Sequence, residues 1–255
     1  MVYSFRMSGK NRFDPDCIKL SRTALEEFLK CPRCFHLRRR QGLKPPDSFP
    51  LTLAIATDAL LKNEFDTVRN SGSAHPLWLR EGLDVLGFSH PDLNVWRSNF
   101  KGQRVTHAGT GAVVYGAVDD LWVDRRSGQL HVVDYKSTSK VGTPSLDSGF
   151  GAGYKRQMEI YQWLFREAGF DVSPTGYFLY VNGSKDGIFY AEGLHGLMRF
   201  ETTLIAYEGN CEWVDEAITR AIACLRSDDL PASGADCDPC RYFAERSGLM
   251  GAAIP

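Results

Sequence analysis

The chain has 255 residues, of which 43% are apolar, 24% charged and 12% aromatic, and its formal net charge is −1. This composition excludes disordered, fibrous and collagen-like chains, and the length supplies a core that needs no staples. The near-zero charge excludes a uniformly basic nucleic-acid binder, so any polyanion contact has to come from a local patch.

The opening MVYSFRMSGKNRFDP has no apolar run, and no stretch approaches the roughly 18 apolar residues of a membrane span. The chain reads as cytoplasmic, without membrane contact. In a reducing compartment its seven cysteines at paired close spacings point to metal rather than disulfides.

Residues 1–19 read as an irregular lead-in. A helix follows from about Leu20, with Thr23 and Glu26 at capping-box spacing, and runs to Cys31-Pro32-Arg33-Cys34. From Lys30 to Lys44 the charges are all basic, including Arg38, Arg39 and Arg40, a patch suited to a phosphate backbone. Lys44-Pro45-Pro46 ends this segment, and a second helix is expected over Leu51–Arg69. Residues 71–110 are rich in turn formers, with aromatic anchors at Trp78, Phe88, Trp96 and Phe100.

Ala112–Val123 and Leu130–Tyr135 are rich in β-branched and aromatic residues and flank the turn Arg125-Arg126-Ser127-Gly128, which predicts a hairpin. A glycine-rich loop follows. Tyr154–Ala168 reads as a helix, Thr175–Val181 and Gly187–Ala191 as two strands joined by the turn Asn182-Gly183-Ser184-Lys185-Asp186, and Glu212–Arg226 as a last long helix. The order predicts one mixed α/β domain with its ends tied together.

The hairpin carries the chemistry. Asp119 lies across it from Asp134, and Asp134 and Lys136, two residues apart on a strand, share a face while Tyr135 and Asp120 turn away. Two carboxylates with a nearby backbone carbonyl, that of Tyr135, suit Mg²⁺ or Mn²⁺, and a lysine beside them suits the charge that develops on a phosphodiester under attack.

Gly116-Ala-Val-Asp119, Val133-Asp134-Tyr135-Lys136, Gln157-Met-Glu-Ile-Tyr161 and the run from Leu20-Ser21 to Cys31-Pro32 together resemble the G-x-x-D, D-Y-K, Q-x-x-x-Y and S…C-P motifs of the RecB-like branch of the PD-(D/E)XK nucleases. The resemblance implies an α/β, restriction-endonuclease-like core, a mixed central β-sheet flanked by helices. It implies a single nuclease domain over 1–255, with 110–192 as its catalytic sheet core. Asp119 and Asp134 would bind the metal, Lys136 would be the catalytic lysine, and Gln157 and Tyr161, on one helix face, would look onto the active site and contact DNA. Relatives carry a metal-binding histidine on a preceding helix, where this chain has Asp58.

Cys31-x-x-Cys34 and Cys237-x-x-Cys240 are separated by about two hundred residues. Their spacing fits a tetrathiolate zinc site or an iron–sulfur cluster that joins the N- and C-terminal segments, 1–50 and 211–255, into one clasped helical part. The resemblance, to helicase-associated and CRISPR-adaptation nucleases, implies a [4Fe-4S] cluster, although those hold one N-terminal and three C-terminal cysteines. The expected function is a metal-dependent deoxyribonuclease of DNA repair, recombination or defence, acting on DNA, single strands included. The alternative is a catalytically weak DNA-binding or scaffold subunit of a helicase–nuclease complex, since the chain has no nucleotide-binding G-x-x-x-x-G-K-[ST] loop of its own. Oligomeric state is left open.

Overall fold

The computed structural model describes residues 14–15, 17–46, 49–147, 149–193 and 195–249. Most of the expected lead-in lies outside them. Along the chain run β1 (Lys19–Ser21), α1 (Arg22–Lys30), α2 (Pro32–Arg39), α3 (Thr52–Ser71), α4 (Pro76–Arg80), β2 (Val85–Gly87), α5 (Leu93–Trp96), β3 (Gln103–Thr106), β4 (Val113–Gly116), β5 (Asp120–Asp124), β6 (Leu130–Thr138), α6 (Gly151–Glu167), β7 (Thr175–Gly183), β8 (Tyr190–Glu192), β9 (His195–Gly196), β10 (Phe200–Glu208), α7 (Glu212–Arg226) and α8 (Asp238–Leu249). They form two compact units. The central one comprises Phe49–Val105 and Val114–Val214; the terminal one comprises Met1–Ser48, Thr106–Val113 and Asp215–Pro255.

The central unit is a mixed α/β fold built on a five-stranded sheet in the order β10-β7-β6-β5-β2. β6 and β7 pair in parallel and the other neighbours are antiparallel. A parallel pair needs a long crossover, and α6 lies within it. The apolar runs of β6 and β7 are buried on both faces, as expected of strands covered by a helix on each side.

Alternation along β6 divides the chemistry between the two faces. Val133 and Tyr135 join Phe65 of α3, Trp78, Trp122, Tyr177 and Leu179 in one aromatic core. Phe65 is 1% exposed and its ring centroid lies 5.4 Å from Trp122 and 5.8 Å from Tyr135. Burying that ring contributes about 1.5–3 kcal/mol. Asp134 and Lys136 point to the opposite face, where α6 packs.

Several expectations are corrected. The single strand expected over 112–123 is two: β4 stops at Gly116, Val118 N–H leaves the ladder to donate to the Trp96 carbonyl (3.2 Å), and β5 begins at Asp120. Asp119 therefore sits in a break at the mouth of β5. The antiparallel neighbour of β7 is β10, paired from Phe200↔Gly183 to Glu208↔Thr175, not the 187–191 segment. β10 is an edge strand open to water, so it lacks the apolar run by which β6 and β7 announce themselves. Trp78 and Trp96 are buried anchors, whereas Phe100 is 90% exposed.

In the terminal unit Ser21, not Thr23, caps α1, its hydroxyl accepting from Ala24 N–H at 3.1 Å. Phe28 of α1 meets Phe35 of α2 edge to face at 5.4 Å. The helices part at Cys31, whose backbone is extended, and Pro32, with no N–H to satisfy, takes the first position of α2. His36 Nδ1 lies 3.1 Å from the Cys224 carbonyl of α7. α8 starts just after Cys237, carries Cys240 in its first turn and was not expected; most of its residues are exposed and give no apolar stripe.

Candidate functional site

The register Asp120↔Val133 sets Asp119 beside Asp134 on the α6 face of the sheet. Each Asp119 oxygen has its own partner. Oδ2 accepts from the backbone N–H of Tyr135 at 2.8 Å, and Oδ1 lies 3.5 Å from Lys62 Nζ. Asp134 is 1% exposed. Its Oδ1 accepts from Gln157 Nε2 at 2.8 Å. Its Oδ2 forms an ion pair with Lys136.

Lys136 Nζ also donates to Gln157 Oε1 at 3.3 Å and lies 4.4 Å from the centre of the Tyr154 ring. Gln157 thus uses both ends of its amide on the carboxylate and the ammonium, and its Nε2 reaches Tyr161 Oη at 3.2 Å. The sequence-predicted Asp119, Asp134, Lys136, Gln157 and Tyr161 are brought together. Gln157 and Tyr161 are 9% and 4% exposed, which leaves little surface for the DNA contacts implied for them.

Electrostatics follow from this crowding. Burial and then the charge of Asp134 raise Asp119 to about 7, against the opposing pull of Lys62 and Lys136. Burial alone would lower Lys136, but Asp134 and Asp119 outweigh it and hold its pKa above the ordinary lysine value. The two carboxylates therefore favour the charged form of Lys136.

Asp120 turns the other way, as strand alternation requires. Fully buried, it accepts from Arg97 Nη2 (2.7 Å), from Tyr135 Oη (2.9 Å), from its neighbour Leu121 N–H (2.8 Å) and from Arg69. Arg97 also grips both oxygens of Asp66, at 2.8 and 2.9 Å, and Arg69 pairs with the same carboxylate. Two arginines and two aspartates balance in charge beneath the site. Tyr135 joins the layers, with its N–H on Asp119 and its hydroxyl on Asp120.

The sequence reading missed Lys62, Tyr154 and this arginine pair. Asp58 sits one turn before Lys62 on α3, 2.8 Å from its Nζ. The spacing Asp58-x-x-x-Lys62 was the available signal.

In the terminal unit the four cysteines converge. Cys34 Sγ lies 3.5 Å from both Cys237 Sγ and Cys240 Sγ, Cys31 Sγ lies 3.8 Å from Cys240 Sγ, and all four are within 4.8 Å of one another. Cys31 and Cys237 stand just before α2 and α8. Cys31 Sγ accepts from Gly234 N–H (3.2 Å) and Cys34 N–H (3.4 Å). Burial would raise this thiol, but these bonds and the neighbouring sulfurs lower it to about 7. Burial and the surrounding thiols push Cys34 up.

Arg38, Arg39 and Arg40 lie on and just after α2, partly exposed. Arg38 and Arg39 pair with Glu27 at 3.3 and 3.6 Å. Arg40 donates to the Leu225 carbonyl at 2.7 Å and pairs with Asp228. Among the described residues no helix is long and apolar enough to cross a membrane.

The profile of the PD-(D/E)XK nuclease superfamily matches residues 50–244, a span that holds every residue of the carboxylate site and the second cysteine pair. No curated protein matches the chain.

Proposed function

Since the chain belongs to the PD-(D/E)XK nuclease superfamily, we propose that it is a divalent-metal-dependent deoxyribonuclease of the RecB-like kind. The observation that carries the reading is the pair Asp119 and Asp134, two carboxylates set side by side with Lys136 against Asp134 and Lys62 against Asp119. Burial first and then the like charge of Asp134 raise Asp119, a penalty that a bound cation would relieve. Oxygen donors of this kind suit Mg²⁺ or Mn²⁺ held by Asp119, Asp134 and the Tyr135 carbonyl. The ion, when bound, supplies a lowered pKa for water and neutralisation of phosphate charge.

The protein's own residues do the rest. Tyr135 N–H fixes one oxygen of Asp119, and Gln157 fixes Asp134 and Lys136 together. Lys136, its charged form favoured by the two carboxylates, is placed to offset the negative charge that grows on the phosphate oxygens. Tyr154 and Tyr161 confine the lysine and the glutamine. Arg38–Arg40 remain candidates for backbone contacts, with their charge already partly neutralised by Glu27 and Asp228.

The test is cleavage of labelled single- and double-stranded DNA with Mg²⁺ or Mn²⁺. Lys136→Ala is expected to lose about 10²–10³-fold in rate with its circular dichroism unchanged. Cleavage retained in that variant would remove the assignment. A role in repair, recombination or defence, in the cytoplasm and beside a helicase, is part of the same proposal and is read from co-purifying proteins.

For the cysteine centre the sulfur spacing favours zinc over the implied cluster. Four thiolates around one Zn²⁺ at about 2.3 Å stand about 3.8 Å apart. A [4Fe-4S] cube gives each thiolate its own iron and spreads the sulfurs much farther. The observed 3.5–3.8 Å contacts match the single ion. Anaerobically purified protein should be colourless with one zinc per chain; a brown protein with four irons would restore the cluster.

A further inference from the structure

Lys62 is the residue at the carboxylate site that none of the motifs calls for. It sits on α3 one turn after Asp58, and a lysine there would ordinarily do no more than pair with that aspartate at the surface. Here its Nζ lies 2.8 Å from Asp58 Oδ2 and also 3.5 Å from Asp119 Oδ1. The second oxygen of Asp119 is already committed to the Tyr135 backbone. One ammonium therefore takes both the Asp58 carboxylate and the Asp119 oxygen still open to a ligand.

All three side chains keep some contact with water, at 22% exposure for Lys62, 37% for Asp58 and 25% for Asp119. The ammonium, itself partly open to water, can swing out of this pair when a divalent ion takes its place. Asp134, at 1%, has no such freedom. Charge counting points the same way: Asp58, Asp119 and Asp134 face Lys62 and Lys136, one negative charge in excess.

We propose that Lys62 is a resident counter-ion of this site, bridging Asp58 and Asp119, withholding Asp58 from the divalent ion and yielding Asp119 Oδ1 when that ion binds. It rests on the metal-dependent reading above. Lys62 is accordingly a positioning residue that sets metal affinity. Asp58 serves as its anchor and not as a ligand, and the chain accepts weaker metal binding in return for carboxylates held in place before the ion arrives.

The test is Mn²⁺ binding to the full chain, read by the electron paramagnetic resonance signal of free Mn²⁺ and without DNA. Wild type, Lys62→Gln, Lys62→Met, Lys62→Arg and Lys62→Gln/Asp58→Asn are compared. The neutral variants are expected to bind about five- to tenfold more tightly, a partly solvated ion pair being worth on the order of that factor. Lys62→Arg should stay near wild type, and adding Asp58→Asn to Lys62→Gln should take back most of the gain. In metal-free buffer the neutral variants should melt lower than wild type, and Mn²⁺ should raise their melting temperature more. Equal or weaker Mn²⁺ binding in both neutral variants would overturn the proposal. If wild type binds no Mn²⁺ that Asp119→Asn abolishes, the metal-dependent reading itself fails, a distinguishable result.

Discussion

Gly116 and Tyr161 approach so closely that a methyl group on the glycine would stand 2.7 Å from Tyr161 Cε1 and 3.2 Å from Leu164 Cδ1. This explains why a glycine opens the G-x-x-D motif: it is the floor on which the Q-x-x-x-Y helix rests. Gly116→Ala is expected to cost about 1–3 kcal/mol, because the buried ring has no room to retreat. It should also slow cleavage by about tenfold or more, since shifting Tyr161 disturbs Gln157 and misplacement of about 1 Å can cost on the order of 10²-fold. Denaturant unfolding beside single-turnover rates checks both.

The layer beneath the site should separate charge from hydroxyl. Asp120→Asn leaves Arg69 and Arg97 short of a buried anion and is expected to lose about 3–5 kcal/mol of stability. Tyr135→Phe removes one hydrogen bond and is expected to lose about 1 kcal/mol. It should leave cleavage near wild type, because Asp119 is held by a backbone N–H that the substitution keeps. Urea midpoints order the two variants.

Metal binding should depend on pH through Asp119. Its pKa is raised from 3.8 to about 7, chiefly by burial and then by Asp134, so the folded metal-free chain holds this proton more tightly than the unfolded chain. This group's contribution to stability is therefore full below about pH 4 and is lost as pH rises toward 7. An entering Mn²⁺ has to displace the proton, so affinity should climb by about tenfold per pH unit up to about 7 and then level. Calorimetry in two buffers of different ionisation heat should count about one proton released near pH 6, and a pH-independent affinity would refute this.

Stripping the cysteine centre should loosen the terminal unit. The cross-link joins residues 203 apart, a loop whose closure is worth on the order of 5 kcal/mol by chain entropy. Cys34→Ser, or wild type in a strong zinc chelator, should melt well below the metal-loaded chain. An unchanged melting temperature after complete metal loss would show the site to be dispensable.

The parts of this molecule legible in the sequence are those fixed by short-range geometry. Two-residue alternation placed Asp134 and Lys136 together and turned Asp120 away. Four-residue spacing aligned Gln157 with Tyr161, and the C-x-x-C pairs declared a metal centre. The illegible parts depend on long-range packing. Nothing local to Arg69, Arg97 or Asp66 says that they meet under Asp120, and Asp58-x-x-x-Lys62 looks like any surface pair until β5 brings Asp119 to it. β10 was missed because an edge strand open to water need not alternate, and α8 because a mostly exposed helix leaves no apolar stripe. The spacing of the cysteines was open to zinc and to a cluster; that all four sulfurs lie within 4.8 Å of one another was not legible from it.

The cysteine centre also sets a clock on synthesis. Cys34 leaves the ribosome long before Cys237, 203 residues later, an interval on the order of 10–40 s at ordinary elongation rates. Through that time the first pair has no partners and the central unit has to fold unaided. A metal held by all four cysteines can therefore enter only after Cys240 has emerged, and a chain stalled before that point has no such lock.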